Sequence, residues 1–572
     1  MSFDYLSKMI SRLSLLAFVL STAVGATGCQ GQYGPKLGAV ASESSICSRI
    51  GTRLIEDGGN AVDALAGTVF CIGTVAMYHS GIGGGGFALL RSSNGSYEFV
   101  DFRETAPAAA FQDMYKGNVN ASIFGGLARP MTFSGIPGEV RGLEYLHKTH
   151  GVLKWAEVLA PSVKLARFGF PVTEDLVKVM DAASPNAFLV DDPSWALDFA
   201  PRGRRVRLGE TMTRKRYADT LETIAMEGAD AFYTGAIGKA TIRALKAGNG
   251  TMTEDDLKKY TIAHRKPIEI KYRGYKVTST NAPSGGVVAL SALNTLSGLD
   301  HFAEPSRSNT SAHFLVEAIK WGYGERTKLG DPSFVPGLDE LTKRMISAEA
   351  GAEIRSKISQ TQTFGVSYYD PDGIESLDTP GTSHIVAADA SGLTVSLTTT
   401  VNLYFGSNLM VPETGIIMNN EMNDFSIPGA SNAFGFIPSE ANFVRPGKRP
   451  QSSISPIIAE TSDGKVFFAI GAAGGSRIIT ANIQNAIHLL DGRMSIAEAL
   501  AQPRLHNQLV PAQVTFEYAY NNGTVSYLKS LGDNVTWVAP GQSSAQGLTR
   551  LADGSFAAAG EPRQKNSGGF AV

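Results

Sequence analysis

The sequence predicts a layered α/β protein with antiparallel sheets, and two features of the pattern lead to this fold class. Strand-like segments occur in pairs, and helix-like segments occur in blocks rather than in strict βαβ alternation. An apolar content of 43% and a charged content of 18% are typical of a folded globular chain. The 572 residues carry a net charge of −2, which gives no electrostatic reason to expect nucleic acid or an anionic membrane as partner.

The first 26 residues have the pattern of a secretory signal peptide. Lys8 and Arg12 precede an uncharged apolar run at residues 13–26, which ends in small residues. An uncleaved anchor is the alternative, although the run is short for a membrane span; a lipoprotein site ending at Cys29 is another. We predict a secretory-pathway protein that is extracellular, at the cell surface or vacuolar. Six N-x-S/T glycosylation sequons agree with this: Asn94, Asn120, Asn249, Asn309, Asn522 and Asn534.

The chain contains three cysteines. Cys29 lies in the predicted cleavage region, whereas Cys47 and Cys71 either pair in an oxidising compartment or remain two buried thiols. The sequence contains no CxxC pair and no His/Cys cluster, so no motif in it indicates a structural zinc site. We therefore predict neither a metal site nor a cofactor.

The first helices and a glycine run come next along the chain. Residues 39–70 predict two helices with a break at residues 57–60, and the glycine run at residues 80–86 leads into a strand. A dinucleotide site needs the opposite order, strand before and helix after, so we expect close backbone packing there. Further predicted elements are helices at 155–168, over most of 172–265, at 284–299 and at 311–328, and a strand at 267–280.

Residues 350–380 are polar and rich in Gly, Pro and Ser, which predicts an exposed linker. Beyond the hairpin that follows it, we predict strands at 415–419 and 465–470 and helices at 476–490 and 496–502.

The linker ends at a predicted hairpin. Residues 383–388 form one strand, residues 389–392 have turn composition, and residues 393–403 alternate between apolar and hydroxyl side chains. A period of two predicts a half-buried strand. With the turn near residues 390 and 391, Thr382 lies opposite residues close to Thr399 and Thr400. The hairpin is then either a threonine-rich surface ribbon or a nucleophile with its supporting groups.

Four further segments contain candidate binding groups. Arg103 in DFRETAP forms an ion pair with Glu104, or clamps a carboxylate with its planar guanidinium. Glu421 and Asp424 in NNEMNDF belong to a polar loop, or hold an ammonium group. The other candidates are Ser452 and Ser453 in RPGKRPQSSISP, and Gly474 and Gly475 in GAAGGSR. Backbone N–H groups at the start of a helix can bind an anion or an oxyanion. The alternative is that the two glycines only form a turn.

The order of these motifs resembles that of the γ-glutamyltransferase (glutathione hydrolase) family. DFRETAP, the Gly381-Thr382 pair, TTTVNLYFGS, NNEMNDFS, RPGKRPQSS and GAAGGSRI follow one another as in that family. SGIGGGGF and APSGG also match, and the likeness covers nearly the whole chain after about Lys36. The sequons are typical of a eukaryotic, fungal-like member.

The resemblance implies the N-terminal-nucleophile hydrolase fold, a four-layer αββα sandwich with antiparallel sheets. It also implies a proenzyme that cuts itself between Gly381 and Thr382. The products are a large subunit, residues 27–381, and a small catalytic subunit, residues 382–572, which form a heterodimer. The implied activity cleaves glutathione and other γ-glutamyl compounds through a γ-glutamyl ester on Thr382, and passes the group to water, amino acids or dipeptides.

The resemblance also assigns roles to single residues. Thr382 is the nucleophile, Thr400 orients and activates it, and the N–H groups of Gly474 and Gly475 form the oxyanion hole. The carboxylate binders are Arg103, Ser452 and Ser453, and the ammonium binders are Asn402, Glu421 and Asp424. Cys47 and Cys71 match a disulfide of animal members, residues 432–435 match a lid with Phe434 at its aromatic position, and Glu561 replaces a frequent Asp.

Two other functions stay open at this point. A related self-processing amidase of the cephalosporin-acylase type has the same fold and nucleophile. An acyl group without an α-amine would leave the carboxylates of Glu421 and Asp424 unpaired, which argues against it. The second is an uncleaved secreted scaffold, against which the intact Thr382, Thr400 and oxyanion glycines argue.

Overall fold

The structure is a computed structural model that describes residues 37–116, 133–183, 187–300, 302, 304–372, 381–429 and 438–572. The predicted signal peptide, Asn120, the lid at residues 432–435 and the end of the predicted linker at residues 373–380 lie outside these described residues. None of the described helices is long and apolar enough to cross a membrane.

The strands are numbered in chain order: β1 Ala39–Ser42, β2 Gly85–Arg91, β3 Tyr97–Phe102, β4 Phe170–Pro171, β5 Thr211–Met212, β6 Ala263–Arg265, β7 Ile268–Tyr272, β8 Tyr275–Ser279, β9 Gly381–Ala388, β10 Thr394–Asn402, β11 Ile457–Glu460, β12 Val466–Ala473, β13 Leu505–His506, β14 Val514–Glu517, β15 Val535–Val538, β16 Ser544–Arg550, β17 Phe556–Ala559 and β18 Gly568–Ala571.

The helices are α1 Ser45–Glu56, α2 Ala61–Val75, α3 Glu139–His150, α4 Trp155–Phe168, α5 Glu174–Ala182, α6 Phe188–Asp191, α7 Pro193–Phe199, α8 Lys215–Glu227, α9 Asp230–Tyr233, α10 Ala236–Ala247, α11 Glu254–Lys259, α12 Gly286–Ser297, α13 Ser308–Arg326, α14 Leu338–Met345, α15 Ala348–Lys357, α16 Arg477–Leu490, α17 Ile496–Ala501 and α18 Asn522–Ser530.

Two antiparallel sheets form the centre of the fold. The seven-stranded sheet has the order β18-β1-β9-β10-β2-β3-β6, and the six-stranded sheet has the order β17-β16-β12-β11-β8-β7. All neighbouring strands within these two sheets run antiparallel, as the sequence predicts. A small third sheet contains one parallel pair, β14 and β15.

The apolar contacts divide the molecule into four layers. One core joins the seven-stranded sheet to helices such as α2 and α4, and a second joins the six-stranded sheet to helices such as α12 and α16. A third apolar cluster, which includes Val386 and Ala469, lies between the two sheets. The predicted αββα sandwich is therefore confirmed.

The strand β9 shows why both faces of the central sheet are buried. Ile385 and Ala387 pack toward the helices, whereas Val386 and Ala388 pack toward the second sheet. Every residue of β9 and β10 is buried. The prediction of a half-buried strand is wrong, because the hydroxyl face of β10 points into the space between the sheets: the Ser396 hydroxyl donates to the Ile470 carbonyl of β12.

Several predicted elements change in the structure. Residues 39–42 form strand β1 rather than the start of a helix, because they pair with both β9 and β18. Residues 267–280 form the hairpin β7–β8 rather than one strand, since Arg273 and Gly274 both have positive φ. Residues 415–419 form no strand, and only Ile417 makes an isolated bridge. The predicted linker begins inside helix α15, and its Tyr369 is buried.

The glycine run packs closely against β10 and its surroundings, as predicted. A Cβ on Gly84 would lie 1.9 Å from the carbonyl oxygen of Thr400, and a Cβ on Gly86 would lie 2.0 Å from that of Thr398. Any side chain at these positions would push β10 away from β2. The run therefore fixes the position of the strand that contains Thr400.

The predicted covalent features agree in part with the structure. Cys47 and Cys71 form a disulfide that joins α1 to α2. The sequon residues Asn94, Asn249, Asn522 and Asn534 are exposed. Asn309 is half-buried, and its side-chain oxygen accepts a 2.8 Å hydrogen bond from Thr524.

Candidate active site

The hairpin β9–β10 brings Thr382 and Thr400 together. The two residues are direct cross-strand partners, in the register that the turn composition predicts. The Thr382 hydroxyl donates to the Thr400 hydroxyl at 3.4 Å, and the Thr400 hydroxyl donates to the Gly381 carbonyl at 2.5 Å. Thr400 therefore touches both the hydroxyl and the carbonyl that an attack of Thr382 on its own preceding bond would join.

An irregularity in β10 follows directly after Thr400. The register shifts between Thr400 and Asn402, and Asn402 has a φ of 78°. The Asn402 N–H donates to the Thr400 hydroxyl at 2.7 Å, which holds that hydroxyl in place. A bulge that re-aims a side chain beside an active site is a common use of this irregularity.

Gly381 is needed for a close approach between two stretches of backbone. A Cβ at this position would lie 2.4 Å from the carbonyl oxygen of Leu403. Glycine therefore allows β9 to pair with β10 up to the bond before Thr382.

Arg103 lies buried beside three carboxylates. Its guanidinium bonds to Glu421 through one nitrogen and to Asp424 through another, and it lies 3.8 Å from Glu104. The ion pair with Glu104 that the sequence leaves open is thus the longest of the three contacts. Although burial lowers the pKa of Arg103, Glu421 and Asp424 raise it above its usual value, so this cation stays charged.

The pKa values of the carboxylates around Arg103 are raised as well, which favours the neutral form of these groups. Burial raises the pKa of Glu104 to about 8 against the lowering effect of Arg103, and neither oxygen of the Glu104 carboxylate has a hydrogen-bond partner among the described residues. Burial also raises the pKa of Glu421 well above its usual value and raises that of Asp424. A cation that enters this cluster would therefore stabilise the ionised form of these carboxylates.

A first cavity places these groups beside Thr382. We call first cavity the space lined by Arg103, Glu421, Asp424, Thr382, Thr400, Ser452, Ser453 and Gly475, together with Arg326, Gln451 and Asn442. The Ser452 hydroxyl accepts from the N–H of Ile454, and the Ser453 hydroxyl accepts from Arg326 at 3.1 Å. Asn402 is buried, and its side-chain oxygen has no partner among the described residues.

Arg326 is a cavity residue that the sequence does not reveal. It ends helix α13, more than 50 residues before Thr382. Nothing in its local sequence distinguishes it from a solvated helix end. Only the packing of α13 brings it to the cavity, so no signal in a single sequence would have found it.

The glycine turn after β12 lines both of the cavities that Thr382 lines. Gly474 has a φ of 121° and Gly475 a φ of 59°, so both use backbone conformations that favour glycine. The turn leads into helix α16, as predicted. Gly475 lines the first cavity, while Gly474 lines a second one.

We call second cavity the space lined by Thr382, His79, Lys178, Gly474, Gly541 and Gln564, among others. Thr382 is the residue that both cavities share. A group attached to Thr382 from the first cavity could thus extend into the second. Among the described residues, no cluster of three His, Cys, Asp or Glu side chains has the arrangement of a metal site.

Comparison with known proteins identifies relatives over most of the chain. The sequence profile of the gamma-glutamyltranspeptidase family matches residues 47–571. The chain is 53% identical to a glutathione hydrolase proenzyme of Arthroderma benhamiae, over 94% of this chain and 93% of that protein. It is 50% identical to a glutathione hydrolase of Aspergillus flavus, over 93% and 89% of the two chains.

Solved structures show the same relationship. The cephalosporin acylase of Bacillus halodurans superimposes with a TM-score of 0.81 and 27% identity, over 94% of this chain and 96% of that one. A chain of the Helicobacter pylori gamma-glutamyltranspeptidase superimposes with a TM-score of 0.54 and 30% identity, over 59% of this chain and 95% of that one.

Proposed function

Because the chain belongs to the gamma-glutamyltranspeptidase family, we propose that it cleaves the γ-glutamyl amide bond of glutathione and of other γ-glutamyl compounds. The γ-glutamyl group passes to water, or to an amino acid or dipeptide acceptor. One observation carries the proposal: Thr382 lines a cavity that also contains a buried arginine and two carboxylates.

Self-cleavage comes first in this proposal. The Thr382 hydroxyl attacks the Gly381 carbonyl carbon, the peptide C–N bond breaks, and an ester forms while the Thr382 amine takes up a proton. Water then hydrolyses the ester. The hydrogen bond from Thr400 to the Gly381 carbonyl supports this step, because it stabilises negative charge on that oxygen.

The new α-amine of Thr382 then serves as the base. A threonine hydroxyl is a weak nucleophile and needs a partner that removes its proton. An α-amine has a pKa of roughly 7.7–8.0, which suits a base near neutral pH. Thr400, at 3.4 Å, orients the Thr382 hydroxyl toward the first cavity.

The amino-acid end of the donor binds in the first cavity. Its α-carboxylate pairs with Arg103, Ser452 and Ser453, and its α-ammonium pairs with Glu421, Asp424 and Asn402. In the structure Arg103 bonds to Glu421 and Asp424 directly. When a zwitterion lies between them, Arg103 pairs with its carboxylate, and Glu421 and Asp424 pair with its ammonium group. No charge is then left unpaired.

Acyl transfer follows from this placement. The Thr382 oxygen attacks the γ-carbonyl carbon, and the developing oxyanion accepts hydrogen bonds from the N–H groups of Gly474 and Gly475. During this attack the α-amine of Thr382 takes the hydroxyl proton and passes it to the leaving amine of the donor, which departs and leaves an ester on Thr382. Water or an acceptor amine then attacks the ester and gives up a proton to the α-amine of Thr382. That proton passes to the Thr382 oxygen as the ester bond breaks, which restores the hydroxyl.

The two products of self-cleavage remain together as a heterodimer. We place the large subunit at residues 27–381 and the small subunit at residues 382–572. Both central sheets contain strands from each: β9 and β10 lie between β1 and β2, and β11 pairs with β8. Separating the subunits would expose unpaired strand edges and the buried faces of both sheets.

The Cys47–Cys71 disulfide and the exposed sequons support a location in the secretory pathway, after removal of residues 1–26.

A pair of donors tests the proposed activity against a cephalosporin-acylase-type amidase. γ-Glutamyl-p-nitroanilide and glutaryl-p-nitroanilide differ only in the α-amine. We expect the γ-glutamyl donor to be cleaved and the glutaryl donor to react at least tenfold more slowly, because the latter leaves Glu421 and Asp424 without a cation. A preference for the glutaryl donor would favour the amidase and contradict the proposal.

A further inference from the structure

The second cavity shares Thr382 with the first cavity, in which we place the glutamyl end of the donor. Thr382 and Gly474 form part of its wall. If the proposed function is correct, the part of the donor beyond the scissile bond leaves through this space, and the acceptor enters through it. In glutathione that part is a dipeptide that ends in a free carboxylate.

Lys178 is an exposed cation in the wall of the second cavity. It lies on helix α5, and its ammonium group lies 3.9 Å from the position that a Cβ on Gly541 would occupy. The next residue, Gln542, places its carbonyl oxygen 2.6 Å from the position of a Cβ on Gly474. The loop at residues 541–542 thus connects Lys178 to the glycine turn beside Thr382.

Among the described residues, no carboxylate lies within ion-pair distance of Lys178. The other cation of this wall, Arg563, is bound to both Glu517 and Glu561. Asp175, one turn before Lys178, accepts from the N–H of Asn566 at 2.9 Å and from its side-chain amide at 2.7 Å. Lys178 is therefore the cation of this wall whose charge is left for a ligand.

We propose that Lys178 binds the terminal carboxylate of the leaving dipeptide and of amino-acid or dipeptide acceptors. The residue would then determine specificity for groups with a free carboxylate beyond the scissile bond. Because Lys178 is exposed and its side chain is flexible, its contribution to binding is moderate. His79 also lines the second cavity, but its Nδ1 atom lies 2.6 Å from a carboxylate oxygen of Glu43, so this side of the ring already has a partner.

The test compares glutathione with glutathione ethyl ester, in which the glycine carboxylate is blocked. The readout is the kcat/KM for glutathione divided by the kcat/KM for the ethyl ester. Both are measured on the purified, processed enzyme at one pH. For Lys178→Ala and Lys178→Gln we expect this ratio to fall roughly 3- to 10-fold from that of the unsubstituted enzyme. Lys178→Arg keeps the charge and should retain most of the ratio.

Lys164→Ala is the matched control, because Lys164 is an exposed lysine of helix α4 that does not line the cavity. An unchanged ratio in both Lys178→Ala and Lys178→Gln would overturn the assignment of Lys178. An unsubstituted enzyme that fails to cleave γ-glutamyl-p-nitroanilide would overturn the proposed function instead. The two failures are therefore distinguishable.

Discussion

The hydroxyl of Thr400 donates a 2.5 Å hydrogen bond to the carbonyl oxygen of Gly381, the residue directly before Thr382. The same hydroxyl accepts from Thr382 and from the N–H of Asn402. One side chain thus links the proposed nucleophile to the proposed scissile carbonyl. This relationship leads to a prediction about self-cleavage.

We expect Thr400→Val to slow self-cleavage roughly 100-fold, the effect of losing one donor to a developing oxyanion. Valine keeps the shape of the side chain but removes the hydrogen bond to Gly381. The measurement is the rate at which the precursor band converts into two fragments. Thr394→Val is the control, because Thr394 lies on the same strand and its hydroxyl donates to the Gly392 carbonyl. Equal rates for Thr400→Val and the unsubstituted precursor would contradict the role of Thr400.

Arg103→Ala should weaken donor binding roughly 30-fold or more, on the basis of about 2–5 kcal/mol for a buried charge contact. Self-cleavage should survive, because none of the hydrogen bonds of the Arg103 side chain in the described part of the chain goes to Gly381 or Thr382. The midpoint of urea unfolding should also fall, since Glu421 and Asp424 lose their cation. Arg103→Lys separates the loss of donor binding from the loss of stability. Lysine keeps the positive charge but lacks the planar, bidentate geometry of the guanidinium. A donor KM that does not change in Arg103→Ala would disprove the assignment.

Asp424→Asn should reduce the discrimination between γ-glutamyl and glutaryl donors. The amide keeps the shape of the side chain but removes a negative charge that we assign to the α-ammonium. We expect the preference for γ-glutamyl-p-nitroanilide to fall by about tenfold, which is 1.4 kcal/mol. An equal fall in kcat/KM for the two donors would show that Asp424 supports the fold and does not recognise the ammonium group.

Glu139 predicts a pH dependence of stability. Burial raises its pKa to about 7, opposed by the hydrogen bond that it accepts from Thr399. The folded state therefore holds a proton that the unfolded chain releases above its ordinary pKa. This stabilisation is complete below about pH 4.5 and is lost as pH rises to about 7, a change of about 3 kcal/mol.

Glu139→Gln removes this dependence, because an amide stays neutral and still accepts from Thr399. The urea midpoint of Glu139→Gln should exceed that of the unsubstituted protein at pH 8 and match it near pH 5. Glu227→Gln is the control, since Glu227 is exposed. Parallel midpoints for Glu139→Gln and the unsubstituted protein from pH 5 to 8 would contradict the prediction.

Local patterns in the sequence are sufficient to predict the central hairpin β9–β10. A period of two and a four-residue turn predict that Thr382 lies opposite residues close to Thr399 and Thr400, because hairpin register depends on the turn and the alternation. In the structure Thr382 pairs with Thr400. They do not predict that β10 is buried on both faces. That burial depends on the second sheet, whose strands β11 and β12 come about 55 to 80 residues after β10.

Other features depend on partners that are distant in the sequence. Residues 39–42 are too short to read as a strand alone, and they become one by pairing with β9 and β18. Arg326 and Lys178 reach the two cavities only through the packing of their helices. The direct bonds from Arg103 to Glu421 and Asp424 also need the fold, since 318 and 321 residues separate the partners.

The central claim is that the chain cuts itself before Thr382, and N-terminal sequencing with intact mass analysis of the purified, secreted protein tests it most directly. We predict two fragments, the smaller of which begins Thr-Ser-His-Ile-Val and ends at residue 572. Thr382→Ala should give a single uncleaved chain. A single chain from the unsubstituted protein, or a small fragment that begins at another residue, would contradict the account.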